Sequence, residues 1–226
     1  GESIYGVLVG GYAFAIGLDG EAAWEWRADT EWAEFYGSPT IDGGRVILSG
    51  ANYAGNYPAM VGLDARTGQP DWDNATKPRL GQASYSNIRT SPAVYNGILF
   101  YGETARNRLI SVEAETGDPI WHDAVGVPAY VQWASPVIAS DVMYLARPDG
   151  ALYALLASDR TAEWSIYLGD HAQHGHETPA AVRNHQDPWS KPPVGDSLYA
   201  TPAIARDGTL VVGSGDGWLY CIREAE

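Results

Sequence analysis

Four of the five histidines in this 226-residue chain fall in one polar segment, where they are the most obvious candidates for chemistry. They are His171, His174, His176 and His185. Imidazole and carboxylate groups suit Zn²⁺ and similar ions, so His174 and His176 with Glu177 are candidate metal ligands. Their spacing does not match a helix-borne motif such as H-E-x-x-H. We therefore favour a polar loop whose histidines make ordinary hydrogen bonds.

Other catalytic signals are weak. No arrangement of Ser, His and Asp, or of Cys and His, has the motif context of nucleophilic catalysis. The glycine-rich stretch at 213–217 is predicted to be a hairpin turn, because no helix follows it to complete a phosphate-binding loop. The sequence thus leans towards a chain that is not an enzyme by itself.

Composition and charge exclude several classes of function. Hydrophobic residues make up 45% of the chain and charged residues 19%, which is typical of a globular protein. The net charge of −14 disfavours binding to nucleic acid and to anionic membrane surfaces. No apolar stretch approaches the ~18 residues of a membrane-spanning helix. The one cysteine, Cys221, excludes an internal disulfide.

Five short hydrophobic runs recur along the chain, and a hydroxyl residue with proline precedes four of them. These pairs begin the stretches SPTI (38–41), SPAV (91–94), SPVI (135–138) and TPAI (201–204). A turn signal, such as Asn96-Gly97 or Asp207-Gly208, follows each stretch. Such residues favour tight hairpins because they tolerate positive φ, so each stretch and the run after it are predicted to be paired strands.

A further short strand follows each run and ends on a small residue. The small residues are Ala15, Gly62, Ser111, Ala154 and Cys221. Side chains alternate between the two faces of a strand, so one face of this strand is expected to approach something closely. A tryptophan then follows, at Trp24, Trp72, Trp121 and Trp164, with intervals of 48, 49 and 43 residues.

These repeats predict an all-β fold, a β-propeller of four-stranded antiparallel blades of about 45 residues each. We count 18 strands in about five blades, of which the first lacks its innermost strand and the last its tryptophan strand. The predicted blades cover residues 3–27, 38–73, 90–122, 134–165 and 200–222, with an inserted loop at 166–199, in a single domain over 1–226. The incomplete blades lead us to expect part of a larger propeller or protein.

The stretches LDARTGQPDW (63–72) and VEAETGDPIW (112–121) share an acid, a Thr-Gly pair and a tryptophan. The Asp64 carboxylate can accept N–H groups of the turn, and Gly68 can adopt the left-handed conformation that closes it. Blades bury their faces only against neighbouring blades, so a large flat ring after this turn is expected to seal the junction. The residues predicted to build these junctions are Trp24, Asp64, Gly68, Trp72, Gly117, Trp121 and Trp164.

The pattern small-x-acid-x-x-Thr-Gly-x-x-x-Trp resembles the tryptophan-docking motif of the quinoprotein-type (PQQ-like) β-propeller repeats. The copy ending at Trp72 follows it fully, and the copy ending at Trp121 has Glu113 in place of Asp. The copy ending at Trp164 keeps only the two ends, and the copy ending at Trp24 is one residue short. The resemblance covers almost the whole chain and implies an exported bacterial protein, periplasmic or extracellular.

The resemblance also raises a cofactor. Quinoprotein dehydrogenases hold PQQ with a stacking tryptophan, a Ca²⁺ ion with acidic and amide ligands, and often a vicinal cysteine pair. This chain has one cysteine and no matching ligand set, so no cofactor is expected.

In propellers of this type, the residues just before each innermost strand line the mouth of the channel. Three positions before the four prolines stand Tyr36, Arg89, Trp133 and Tyr199. Three aromatic rings and a guanidinium would suit an aromatic, sugar-like or anionic ligand. Ordinary packing of these side chains against loops is the simpler interpretation.

We therefore predict a non-catalytic binding or scaffold propeller that engages a protein partner, or a small or sugar-like ligand, at the channel mouth. Neither nucleic-acid binding nor membrane insertion is expected. Two alternatives stay open. The chain could be an accessory domain or piece of a larger enzyme, a quinoprotein oxidoreductase or a hydrolase, or it could be a carbohydrate-binding propeller.

Overall fold

A computed structural model of the chain describes residues 2–29, 33–52, 60–73, 90–103, 108–122, 134–147, 150–159, 161–168, 176–177 and 198–223. Regular structure within these ranges consists of 20 β-strands, with no helix. It follows that no helix there is long and apolar enough to cross a membrane. The chain divides into two compact units, residues 1–106 with 110–122 and residues 107–109 with 123–226.

The strands up to residue 122 form three antiparallel sheets. They are β1 (Ser3–Leu8), β2 (Tyr12–Gly17), β3 (Ala22–Arg27), β4 (Ala33–Phe35), β5 (Thr40–Asp42), β6 (Arg45–Asn52), β7 (Met60–Asp64), β8 (Pro70–Asp73), β9 (Ala93–Tyr95), β10 (Ile98–Glu103), β11 (Arg108–Glu113) and β12 (Pro119–His122). Sheet 1 has the order β1-β2-β3, and sheet 3 has the order β9-β10-β11-β12. Sheet 2 has the order β5-β6-β7-β8, and β4 pairs with the far half of the long strand β6.

The remaining strands form two more antiparallel sheets. They are β13 (Val137–Ala139), β14 (Val142–Ala146), β15 (Ala151–Leu156), β16 (Ala162–Tyr167), β17 (His176–Glu177), β18 (Ala203–Ile204), β19 (Leu210–Gly213) and β20 (Leu219–Ile222). Sheet 4 has the order β13-β14-β15-β16-β17, and sheet 5 has the order β18-β19-β20. The all-β propeller fold with five sheets is confirmed, and the 18 expected strands are joined by β4 and β17.

The tight turns follow from local residue chemistry. Asn96 and Gly97 both have positive φ, +48° and +74°, in the hairpin between β9 and β10. Positive φ at both central residues is the requirement of a type I′ turn, which matches the twist of paired strands. Ser140 (φ +55°) and Gly208 (φ +85°) close the corresponding hairpins of sheets 4 and 5.

The hydrophobic cores lie between successive sheets, because each sheet can bury its faces only against its neighbours. Between sheets 1 and 2 the core consists of Ala13, Ala15, Trp24, Phe35, Val46, Leu48, Val61 and Leu63. Between sheets 2 and 3 it consists of Ile47, Met60, Trp72, Leu99, Tyr101, Ile110, Val112 and Ala114. Between sheets 4 and 5 it consists of Ala134, Ala146, Leu152, Leu168, Leu198, Leu210 and Val212.

The predicted insertion at 166–199 contains regular structure among its described residues. Strand β16 continues through Tyr167, and the two-residue strand β17 pairs with it, Ile166 opposite His176. The single domain over 1–226 stays a prediction.

Candidate functional site

The acidic turn after β7 is closed by one carboxylate. Asp64 Oδ1 accepts hydrogen bonds from the Thr67 hydroxyl and the Thr67 N–H, both at 2.7 Å, and from the Arg66 N–H at 3.1 Å. The Thr67 hydroxyl is the main cause that lowers the pKa of Asp64 below its ordinary value, followed by the Thr67 N–H. The Gly68 N–H donates to the Asp64 carbonyl at 2.8 Å, and Gly68 has a φ of +70°. The turn is thereby held in one conformation.

Two indole rings lie on the acidic turn of the following sheet. Trp24 of sheet 1 donates its Nε1–H to the Ala65 carbonyl at 2.9 Å, and a Cβ built on Gly68 would lie 2.6 Å from its ring. Trp72 of sheet 2 donates to the Ala114 carbonyl at 3.3 Å. A Cβ on Gly117 would lie 2.4 Å from Trp72 Cε3. Only glycine leaves room for the ring at these two positions.

Alanine residues that sequence reasoning missed complete the junction. Ala65 and Ala114 follow the turn acids, and their carbonyls accept the indole N–H of the preceding sheet. Their own N–H groups donate to the carbonyls of Gly44 and Gly97, and Ala157 donates in the same way to Asp141 in sheet 4. The recurrence of alanine at this register, in LDARTG, VEAETG and LLASDR, is the signal that could have revealed them.

The small residue at the end of the third strand faces the tryptophan of its own sheet. Ala15 pairs with Trp24, and Gly62 pairs with Trp72. A Cβ on Gly62 would lie 2.5 Å from the Trp72 ring, so the close approach expected from the sequence is made by the indole. A β-bulge follows each of these pairs, and its extra residue stands immediately before the tryptophan.

The other two junction tryptophans are described less fully. Trp121 pairs with Ser111 in the backbone register, and its side chain lies outside the described residues. Trp164 pairs with Ala154, is half-buried, and has its ring centroid 6.0 Å from that of Tyr144. In this sheet the turn lacks the acid, and Asp141 takes its place by accepting the Ser158 N–H at 3.1 Å and its hydroxyl at 3.0 Å.

The hydroxyl–proline pairs link neighbouring innermost strands. The Ser38 N–H donates to Ser91 Oγ at 2.8 Å, and the Ser135 N–H donates to Thr201 Oγ1 at 2.9 Å. The Thr40 hydroxyl also donates to the Pro92 carbonyl at 2.7 Å. Because proline has no N–H, the hydroxyl side chains supply the donors and acceptors of these links.

Two of the four predicted ligand-binding residues are described. Tyr36 is 42% exposed and donates its hydroxyl to Glu34, and Tyr199 is 54% exposed. Each stands three residues before its proline, next to the innermost strand. Arg89 and Trp133 lie outside the described residues, so the four-residue ring stays a prediction.

An exposed tryptophan that the sequence reasoning missed lies at the same end of sheet 5 as Tyr199. Trp218 is 64% exposed and follows a turn in which its N–H donates to Asp216 Oδ1 at 3.0 Å. The turn is close to the chain before β18, since a Cβ on Gly213 would lie 3.5 Å from the Ala200 Cβ. Its sequence signal is a tryptophan directly after a glycine turn and outside the junction register.

A buried cation lies near the same end of sheet 4. Arg147 is 1% exposed, and its Nη1 donates to the Tyr153 hydroxyl at 3.0 Å. Its carbonyl accepts the N–H of buried Leu198 at 2.9 Å. Arg147 therefore anchors the chain where it returns to begin sheet 5.

The candidate metal ligands are only partly described. His174 lies outside the described residues, and of His176 and Glu177 only the backbone, in β17, is described. Among the side chains that the structure does describe, no group of three or more His, Cys, Asp or Glu could hold a metal ion. The metal site stays a prediction.

Antiparallel sheets joined by indoles that dock on the next acidic turn define a PQQ-like β-propeller. A family model described as "Outer membrane protein assembly factor BamB" matches residues 61–186, more than half of the chain. The chain belongs to that family.

Curated relatives are much longer than this chain. Serine/threonine-protein kinase AfsK of Streptomyces griseus is 30% identical over 135 residues, which cover 56% of this chain and 16% of AfsK. Outer membrane protein assembly factor BamB of Xanthomonas campestris pv. campestris is 24% identical over 212 residues, which cover 84% of this chain and 48% of that protein. The chain thus spans about half or less of the length of these relatives.

Solved structures share the fold. BamB from Moraxella catarrhalis superposes with a TM-score of 0.63 at 17% identity, over 95% of this chain and 53% of that one. A quinohemoprotein alcohol dehydrogenase from Pseudomonas putida HK5 also gives a TM-score of 0.63, at 13% identity, over 94% of this chain and 42% of that one. These likenesses show the fold alone.

The donor set of this chain does not fit a bound quinone with its metal. The vicinal cysteine pair is impossible because the chain has one cysteine, Cys221, which is exposed on β20. The side chains described in the structure offer no cluster of metal-ligating groups either. No chemical step is therefore assigned to PQQ or Ca²⁺.

Proposed function

We propose that this chain is a non-catalytic propeller module that binds a protein partner at the sheet ends carrying Tyr36 and Tyr199. The observation that carries the proposal is the exposure of these two rings, 42% and 54%, at equivalent positions of the repeat. A structural tyrosine at these positions would be expected to bury its ring, whereas a binding tyrosine has to present it.

Exposed aromatic residues on rigid supports are typical of protein-binding surfaces. Tyrosine and tryptophan supply a large contact area for little loss of side-chain entropy, and they are enriched among the residues that dominate binding energy. Tyr199 and Trp218 share one end of sheet 5, and a tight turn fixes the backbone of Trp218. The Tyr36 ring is oriented by its hydrogen bond to Glu34.

The relatives support a binding role over a reaction. The same repeats occur in a protein named as an assembly factor and in one named as a kinase, where the match covers 16% of the length. A module shared by such different proteins is better explained by binding than by catalysis. By the same resemblance we assign the protein to the periplasm or the cell exterior.

The charge of the chain constrains the partner. With a net charge of −14, this protein repels acidic surfaces and attracts basic ones. We therefore expect a partner whose docking surface is apolar with a basic rim, and an association rate that falls as the salt concentration rises.

Site-specific photo-crosslinking in the host cell tests the proposal. A photoreactive phenylalanine analogue replaces Tyr36 or Tyr199, and as a control it replaces Arg206, which is exposed in the β18–β19 turn at the other end of sheet 5. We expect both tyrosine positions to capture the same discrete polypeptide and the Arg206 position to capture none. Equal capture at all three positions, or no capture at any, would contradict the proposal.

Two further readouts address the alternatives. Binding to a glycan array that is lost in Tyr199→Ala would replace the protein partner by a carbohydrate. A characteristic quinone absorbance after addition of PQQ and Ca²⁺ would instead favour a piece of a quinoprotein oxidoreductase.

A further inference from the structure

Each internal junction joins the same two kinds of sheet face. We call forward face the one that packs against the following sheet, with Ala15 in sheet 1 and Gly62 in sheet 2. We call backward face the one that packs against the preceding sheet, with Val46, Val61 and Leu63 in sheet 2. The backward faces of sheets 3 and 5 are built alike, from Ile110 and Val112 and from Leu210, Tyr220 and Ile222. The junction is thus a repeated, directional interface.

The backward face of sheet 1 is exposed. In the strand register Ala15 corresponds to Gly62, so Ile16 corresponds to Leu63, and its partner Ile4 corresponds to Val46. Val46 is 1% exposed and Leu63 is fully buried, whereas Ile4 is 59% exposed. Ile16 is only half-buried. The same face is therefore covered in sheet 2 and open in sheet 1.

The forward face of sheet 5 is exposed as well. Cys221 occupies the register position of Gly62, and Leu219 occupies that of Met60. Met60 is 1% exposed, but Leu219 is 66% exposed, and Cys221 is also exposed. Val211, which pairs with Cys221, corresponds to the buried Ile47 and is half-buried.

We propose that a second copy of this chain covers these faces, with the forward face of sheet 5 in one copy packing on the backward face of sheet 1 in the other. The inference goes beyond the proposed function and does not rest on it. Each copy offers one face of each kind, so the interface is heterologous, head to tail, and continues the directional junction already present within the chain. An exposed apolar face of this size is an interaction site unless something covers it.

The missing indole predicts the strength of the association. The β20 edge has no tryptophan strand beside it among the described residues, so the junction between copies would lack the ring that Trp24 and Trp72 supply within a copy. We therefore expect a reversible complex that dissociates on dilution.

Sedimentation velocity of the 226-residue chain over a range of concentrations measures this association. We expect a concentration-dependent complex, and we expect Ile4→Asp to raise the dissociation constant at least tenfold. The matched control is Ile120→Asp, because Ile120 is 41% exposed as the bulge residue of β12, away from both faces. The control should assemble like the wild type.

Alkylation of the single cysteine reports which faces meet. In the head-to-tail complex Cys221 is covered, so its alkylation rate should fall as the complex forms and recover in Ile4→Asp. A complex in which Cys221 reacts at the monomer rate would overturn the head-to-tail pairing. A monomer at every concentration would overturn the second copy as the occupant, whether Cys221 is reactive or not. Crosslinking from Tyr36 and Tyr199 should be unchanged in Ile4→Asp, so this test and that of the proposed function can fail separately.

Discussion

At the scale of the residue, Gly117 meets two demands that no other amino acid meets. Its φ is +71°, and a Cβ would lie 2.4 Å from Trp72 Cε3. We expect Gly117→Ala to lower the free energy of unfolding by about 2–5 kcal/mol, from left-handed strain of about 1–2 kcal/mol and overpacking of about 1–3 kcal/mol. Urea denaturation followed by circular dichroism measures the loss.

Gly97 provides the matched control for this substitution. Its φ of +74° is nearly the same, but nothing lies within 4 Å of its Cβ position. Gly97→Ala should therefore show only the backbone strain, about 1–2 kcal/mol. Equal losses in the two variants would show that the indole contact at Gly117 contributes nothing.

The carboxylate of Asp64 is a second residue whose environment makes a measurable difference. Its pKa is lowered mainly by the Thr67 hydroxyl, so Thr67→Val should return the pKa towards the ordinary value of about 3.9. Because the folded pKa is the lower one, the stabilisation by this carboxylate is present above the unfolded pKa and is lost as the pH falls through the folded pKa. A side-chain NMR titration of Asp64 checks this, with Thr116→Val as control. An unchanged pKa in Thr67→Val would refute the turn chemistry.

At the scale of the element, a bulge sets the direction of each junction indole. In sheet 1, Ala15 pairs with Trp24 and Ile16 with Ala22, so Ala23 is the extra residue. Deleting Ala23 would shift the tryptophan by one position and turn it to the opposite face, because the side-chain period of a strand is two. We expect the deletion to cost about 3–5 kcal/mol, similar to the loss of a buried tryptophan.

Ala23→Ser is the control for the deletion, since Ala23 is exposed and the substitution keeps the chain length. The substitution should change stability by less than about 0.5 kcal/mol. The free energies of unfolding of both variants decide the matter. A deletion as mild as the substitution would mean that the bulge does not position the ring.

The sheets and their turns could be predicted from sequence because the signals are local. Asn96-Gly97 and Gly68 adopt positive φ for reasons contained in the residues themselves. The alternation of large and small residues predicted a close approach beside Gly62, and the bulge that brings Trp72 there could not be read from the pattern.

Features that depend on distant pairing were beyond the sequence. Strand β4 exists because Phe35 pairs with Gly50, and β17 exists because it adds to the edge of β16. The carbonyl of Ala114 became a partner of Trp72 only through the packing of two sheets. At the candidate site, Tyr36 and Tyr199 were named from their repeat position, whereas Trp218 was overlooked because it lies outside the repeat register.

At the scale of the whole molecule, the chain is a PQQ-like propeller that spans about half of the BamB relatives it matches. Its cores lie between sheets, so its stability is the sum of repeated junctions. Its acidic charge and its exposed aromatic rings leave binding as the activity that we propose for it.

Exchange of the indole N–H protons, followed by NMR on tryptophan-labelled protein, tests most directly the claim that indoles join successive sheets. Trp24 and Trp72 donate to carbonyls of the next sheet, whereas Trp218 is 64% exposed and serves as the internal reference. We predict that the Trp24 and Trp72 indole protons exchange at least about a hundredfold more slowly than that of Trp218, because exchange requires the junction to open. Equal exchange rates for the three indoles would contradict the account.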